Sequence, residues 1–410
     1  MRNRLPNIAS WKFAVAAAAT TLLAAGIVAL ALGLGADDEP HSGGVATVRD
    51  GADSQRPESA GRERRRARGA DAGAQVRALA ERMPIEDRVA QLFLLGFQGQ
   101  DLTAPIFERL RERGLGGIAI DAQNYVSQDQ LASLAGEAAV IAEQEGHVMP
   151  WVLAPQEGGE FNAFPDLPPA TAAADLPSAA KAFEEAVAAA AALRAVGLNG
   201  VLAPVVDVAP PDGIAVGERA FSDDPGDVAD YAQAVVDAFR AESMLTAPAH
   251  FPGLGSGGED TRLGLSQVGS SLGALRARDL VPFRAAIGAG APAITMSNGL
   301  YVTDDFVTPG SLSPALIGGL LRGELGFRGI VITDDLADPA VTSLTGVPKA
   351  SVDAVRAGAD LLYVSGPPAE QEAAFEAVLG AARSGAIPPA RLREALLRNL
   401  SVKRNYALIR

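Results

Sequence analysis

From about residue 90 onward, short apolar runs alternate with Ala- and Leu-rich amphipathic stretches, and this pattern constrains the chain most. Eight runs are readable: QLFLL from Gln91, GIAI from Gly117, PWVLA from Pro150, GVLAP from Gly200, LTAPA from Leu245, PAITM from Pro292, GIVIT from Gly329 and DLLYV from Asp360. Helical stretches lie between them, such as AAKAFEEAVAAAAALRAVG from Ala179, and a last amphipathic helix follows Pro388. That is the grammar of parallel βα units. Eight such units predict a closed (β/α)8 barrel of the TIM type over residues 75–410, for which the length is ample. An open doubly wound sheet is the alternative, because periodicity alone does not specify closure.

The N-terminal part reads differently. Phe13 to Ala36 holds no charged residue and is long enough to cross a bilayer core. Arg2, Arg4 and Lys12 precede it, and Asp37, Asp38 and Glu39 follow it. The positive-inside rule then predicts a cytoplasmic tail at residues 1–12, a single-pass signal-anchor at 13–36 and an extracytoplasmic remainder. A cleaved signal peptide, and hence a secreted protein, is the alternative. Residues 37–74 have hardly any large apolar side chains and include the run RERRRARG from Arg62, so they are expected to form a disordered tether.

The polar residues of the globular part cluster after the strands, where a barrel of this kind carries its chemistry. Strand three ends in APQEGGEF, and strand four in APVVDV followed by GERAFSDDP. Strand five ends in AHFPGLGSGGEDTR, strand six in SNG and strand seven in TDDL. Pro155, Asp207, Arg219, His250, Asn298 and Asp334 are therefore expected on one face. No phosphate-binding loop, dinucleotide fingerprint, GxSxG or HExxH pattern is present. The His and carboxylate spacing suits no evident metal site, so neither a metal nor a cofactor is expected. A formal net charge of −14 argues against nucleic acid as a partner. The absence of cysteine excludes thiol nucleophiles and thiolate ligands. What the rim offers is carboxylate acid–base and nucleophile chemistry, as in glycoside hydrolysis.

Six segments, in order, resemble the motifs of family 3 glycoside hydrolases, specifically the β-N-acetylhexosaminidase branch. AQLFLLGF (Ala90–Phe97) resembles GQLLLVGF, and PQEGGEFNA (Pro155–Ala163) resembles DQEGGRVQR. Ala203–Val208 and Gly217–Pro225 are similar to APVLDV and GxRSFGxDP. AHFPGLGSGGEDTR (Ala249–Arg262) resembles KHFPGHGxxxxDSH, and the run from Ser311 to Leu336 resembles the family's LSP…LLRxELGFxGVIFSDDL. The resemblance extends from about Met83 to Ser401.

Carried over position by position, the resemblance implies that Asp334 is the nucleophile of a retaining mechanism. It implies that His250 and Arg219 contact the sugar, and Asp207 on the same rim is a further candidate substrate-binding residue. An ion pair of Arg219 and Asp207 holding the rim loops is the structural alternative. Asp334 and Asp335 also read as a helix-capping pair. Other matched positions are altered. The dyad His that acts as acid/base in this branch is Arg262, the Lys of KHFPG is Ala249, and the second His of that signature is Leu254. The Asp and distal Arg of DQEGGRVQR are Pro155 and Ala163. Arginine stays protonated and transfers no proton to a leaving group. Glu259 or Asp260 on the same loop is then the candidate acid/base. The expected activity is retaining hydrolysis of terminal β-linked N-acetylglucosamine, or a related sugar, from cell-wall glycan fragments. The alternative is a non-catalytic descendant that binds wall glycan or a partner protein.

Overall fold

The chain divides into two units, Met1–Ser59 and Ala60–Arg410, and the computed structural model describes residues 73–409, all within the second. The expected tail, signal-anchor and most of the expected tether lie outside the described residues. Residues 73–82 are helical, so ordered backbone reaches two residues into the segment read as tether. Among the described residues no helix is long and apolar enough to cross a membrane.

All eight predicted runs form strands: β1 Phe93–Gly96, β2 Gly117–Ala119, β3 Trp151–Ala154, β4 Gly200–Val201, β5 Leu245–Thr246, β6 Ala293–Thr295, β7 Ile330–Ile332 and β8 Leu362–Val364. β8, β1, β2, β3, β4 and β5 form one parallel sheet in that order, and β6 pairs in parallel with β7. Parallel bridges join Phe251 to Met296 and Ile332 to Leu361, which closes the ring between β5 and β6 and between β7 and β8. The barrel is therefore closed, as the eight units predict. An additional parallel pair outside the barrel, Gln267–Val268 with Leu300–Tyr301, has no counterpart in the sequence reading.

Two apolar layers follow from the two-residue alternation of each strand. Leu94, Ala119, Trp151, Leu153, Leu245, Ala293, Ile330 and Ile332 point into the barrel and fill it. Their neighbours, among them Phe93, Leu95, Ile118, Val152, Ala154 and Val331, pack outward against the helices. The helices that cover the barrel include α1 Pro105–Glu112, α2 Gln128–Glu145, α3 Ala179–Ala195 and α4 Pro225–Ala241. The crossover after β6 is the π-helical segment Ala315–Glu324.

The end of the barrel opposite the strand C-termini is sealed by the last helix, α5 Pro389–Asn405. Trp151 donates its indole N–H to Asn399 Oδ1 (2.8 Å) and meets the Tyr406 ring edge-on. Asn399 donates in turn to the Gln91 carbonyl. Trp151, at the start of β3, is the largest fully buried side chain in the described fold. Beside this seal, Asp360 is fully buried and accepts from Arg322, Arg391 and Arg398 as well as from the Val331 N–H. Removing one member of a buried charge cluster strands the others. Asp360→Ala is expected to lower the unfolding free energy of the full chain by about 3–5 kcal/mol in urea titrations. A change below about 1 kcal/mol, as for an exposed pair, would contradict this assignment.

Candidate active site

The strand C-termini surround a cavity of about 470 Å³, within the range of small-molecule sites. Its wall includes Glu157 after β3, Arg219 after β4, and His250 and Arg262 after β5. Asp334, Asp335 and Asp338 after β7 and Tyr363 at β8 complete it. Of the six residues expected on one face, Pro155, Arg219, His250 and Asp334 line this cavity directly, and Asp207 and Asn298 sit immediately behind it.

The segment after β3 reaches the rim through a turn that only glycine fits. Gly158 has a φ of +114°, and a Cβ there would stand 2.3 Å from the Thr171 carbonyl oxygen. That turn lets Glu157 meet Arg219 in a two-pronged ion pair, with Nε to Oε2 at 2.7 Å and Nη2 to Oε1 at 2.8 Å. Both side chains are about nine-tenths buried. Burial alone would lower the Arg219 guanidinium, but the Glu157 charge and hydrogen bonds outweigh it and hold it raised.

Asp207 departs from expectation. It is fully buried and does not line the cavity, and its partner is His250 rather than Arg219. Its Oδ2 lies 2.7 Å from His250 Nδ1, and its Oδ1 accepts the Leu254 N–H at 2.6 Å. With both oxygens engaged inside the protein, Asp207 is placed to orient His250 and does not face the cavity. Burial would lower His250, but Asp207 and then Asp334 raise it, against a smaller opposing effect of Arg219. The Arg219 Nη2 contact to His250 Nε2 is long, at 3.4 Å, so the carboxylates prevail.

Asp334 is half-buried at the end of β7, with its own N–H donated to Ser311 Oγ. One carboxylate oxygen accepts the Asp335 N–H at 3.0 Å. Burial raises its pKa, while His250, the Asp335 N–H, Arg219 and Arg262 pull it back toward ionisation. Neither Asp334 nor Asp335 caps a helix, since the N-cap of the following helix, Pro339–Thr342, is Asp338. The Asp335 Oδ1 accepts from the N–H groups of Ala337 and Ser365, and burial pushes its carboxyl up to about 6.

The expected acid/base candidates Glu259 and Asp260 do not line the cavity. Burial would raise Asp260, but Arg262 clamps its carboxylate through Nε and Nη2 and lowers it. An acid held ionised has no proton to give at neutral pH. The loop itself is fixed, since the Thr261 carbonyl accepts the Ala340 N–H at 3.1 Å. Pro155, Ala163, Ala249 and Arg262, four of the positions where the sequence departs from the motifs it resembles, line the cavity, and the fifth, Leu254, does not. Sequence reasoning missed Glu157, although it lies inside the Pro155–Ala163 motif, and Asp338, which lies outside every motif. Among the described residues no group of three His, Cys, Asp or Glu side chains is arranged to hold a metal ion.

The Asp207–His250 contact makes a direct prediction. In Asp207→Asn, burial and Arg219 act on the imidazole with only Asp334 opposing them. The His250 pKa should therefore fall from above the ordinary 6.5 to below it, read by NMR titration of the ring protons. With three histidines in the chain, the resonance is readily assigned. An unchanged pKa would sink the assigned pairing.

Residues 84–402 match the family model described as the glycosyl hydrolase family 3 N terminal domain. The chain is similar to a beta-hexosaminidase of Stenotrophomonas maltophilia (strain K279a), 36% identical over 293 residues, covering 69% of this chain and 85% of that protein. It is likewise 37% identical to a beta-hexosaminidase of Xylella fastidiosa (strain M12) over 287 residues, covering 67% of this chain and 84% of the relative. Among solved structures, a family 3 beta-N-acetylglucosaminidase from Paenibacillus sp. str. FPU-7 superposes with a TM-score of 0.75 at 32% identity, covering 80% of this chain and 63% of that one. A beta-N-acetylhexosaminidase from Beutenbergia cavernae DSM 12333 gives 0.71 at 28% identity, over 78% of this chain and 99% of its own. The chain belongs to glycosyl hydrolase family 3, in its β-N-acetylhexosaminidase branch.

Proposed function

We propose that this protein hydrolyses terminal β-linked N-acetylglucosamine, or a closely related sugar, with retention of anomeric configuration, and that its substrates are cell-wall glycan fragments. The observation that carries the reading is the carboxylate of Asp334. It faces a cavity of sugar size, where burial raises its pKa and His250, Arg219 and Arg262 act against that rise. In the proposed first step Asp334 attacks the anomeric carbon and forms a glycosyl-enzyme. Water then releases the sugar from Asp334. Arg219 and His250 are the donors placed to hold sugar hydroxyls, with Glu157 and Asp207 fixing their orientation.

The proposed location is outside the cytoplasmic membrane, on the charge asymmetry around Phe13–Ala36. A cell-wall substrate suits that location. A second reading, a barrel that binds glycan or a partner protein without turnover, is favoured by one observation. Pro155, Ala163 and Ala249 give the cavity wall apolar side chains where the motifs they resemble carry charged ones.

Dinitrophenyl β-N-acetylglucosaminide separates the two readings, because its leaving group departs without a proton. The full chain should release dinitrophenolate, Asp334→Asn should not, and the sugar should appear first as the β-anomer by NMR. Equal, negligible rates in both proteins, alongside measurable binding of N-acetylglucosamine oligomers, would leave the binding reading standing.

A further inference from the structure

A carboxylate nucleophile is half of the machinery that retention requires, and the loop acids expected to supply the other half do not face the cavity. Resting on the glycosidase reading, we infer that Asp338 is the acid that protonates the departing glycosidic oxygen and the base that later activates water. The inference stands first on placement. Asp338 follows Asp334 by four residues, is half-buried, and lines the same cavity. Its N–H donates to the Asp335 carbonyl (3.1 Å), and two residues on, the Ala340 N–H donates to the Thr261 carbonyl (3.1 Å). These bonds stitch the Asp338 segment to the loop that carries Arg262, the position where the motif it resembles has its acid/base His. A proton donor is thus restored beside the place from which it was lost, from a neighbouring loop.

The partners of Asp338 are those of an acid that keeps its proton. Glu157 has Arg219, Asp260 has Arg262, and Asp335 has two backbone N–H groups. The hydrogen bond to the Asp338 carboxyl is a long one, 3.4 Å from the Asn298 amide, and among the described residues no salt bridge reaches it. Asn298 Oδ1 is itself buried without a partner in that corner. The charges facing Asp338 are carboxylates: Asp334 and Asp335 on its own loop and Asp260 opposite. Burial first, then Asp334 and Asp335, push it up to about 9, so it is protonated at neutral pH.

The chemistry balances within these two groups. An Asp334 oxygen bonds to the anomeric carbon as the glycosidic C–O bond breaks. The bond's electron pair goes to the leaving oxygen, which takes the Asp338 proton. Esterification removes the Asp334 charge and with it one of the effects that raise Asp338, which favours the carboxylate needed for the second step. Asp338 then takes a proton from water, whose oxygen bonds to the anomeric carbon and frees Asp334.

The test compares wild type, Asp338→Asn and Asp338→Ala in the full chain on dinitrophenyl β-N-acetylglucosaminide and on N,N′-diacetylchitobiose. Asn keeps the size and helix-starting character of Asp, and circular dichroism reports whether each variant folds. Loss of the acid should slow chitobiose cleavage by about 10²–10⁴-fold. The dinitrophenolate burst should survive, with a slow steady state that azide accelerates, releasing the β-glycosyl azide. An equal loss on both substrates in both folded variants, without azide product, would overturn the role of Asp338 while the wild-type burst left the nucleophile reading intact. A wild type that cleaves only the dinitrophenyl substrate would also overturn it, since no acid would then be working. A wild type with no burst would bring down both readings.

Discussion

The site is organised around one carboxylate, Asp334, whose pKa burial raises and whose cationic neighbours work against that rise. Burial works against the charge of Asp334, and three cationic side chains, His250, Arg219 and Arg262, oppose that cost. None of the three is free. Each is tied to a carboxylate of its own: His250 to Asp207, Arg219 to Glu157 and Arg262 to Asp260. The pattern alternates charge outward from Asp334, so the cations are oriented toward it without being neutralised by it. Asp338 lines the same cavity, and the strongest charges acting on it are the carboxylates of Asp334, Asp335 and Asp260. Opposite environments for two carboxyls in one cavity are what divide nucleophile from acid.

The barrel makes the array possible by separating its two ends. Polar chemistry gathers at the strand C-termini, where loops from β3, β4, β5 and β7 converge, while the other end is filled and capped. There α5 docks Asn399 and Tyr406 against Trp151, and Lys403 donates to the Gln91 side chain in full burial. Asp360 and its three arginines occupy that same end. A rigid base allows the rim to hold charged groups in arrangements that cost stability, because the packed interior between them is independent of the rim.

The strands were legible because a parallel barrel strand is buried on both faces, and a short apolar run then has few other uses. Asp334, His250 and Arg219 were legible as members of motifs at strand ends, and the structure brings all three to one cavity. Their partners were not. Arg219 pairs with Glu157 across a separation of 62 residues, and Asp207 with His250 across 43, so each pairing exists only once the strands are side by side. Asp207 looked like a rim residue from its motif, yet its place behind β5 commits it to an imidazole and a backbone N–H. Asp260 keeps the identity of a motif acid, but Arg262 clamps its carboxylate. Asp338 carried no local signal at all; its environment is supplied by Asn298 from another strand and by Asp334 and Asp335 on its own loop.

The central claim is that Asp334 becomes covalently bonded to the sugar, and mass spectrometry of a trapped intermediate tests it most directly. A ring-fluorinated N-acetylglucosaminyl fluoride forms a glycosyl-enzyme readily and hydrolyses it slowly, because fluorine destabilises the oxocarbenium-like transition state. Incubated with the full chain, it should add one sugar mass, and digestion should map that mass to the peptide containing Asp334. An adduct on a different carboxylate, or full turnover of unfluorinated substrate with inversion and no adduct, would contradict the account.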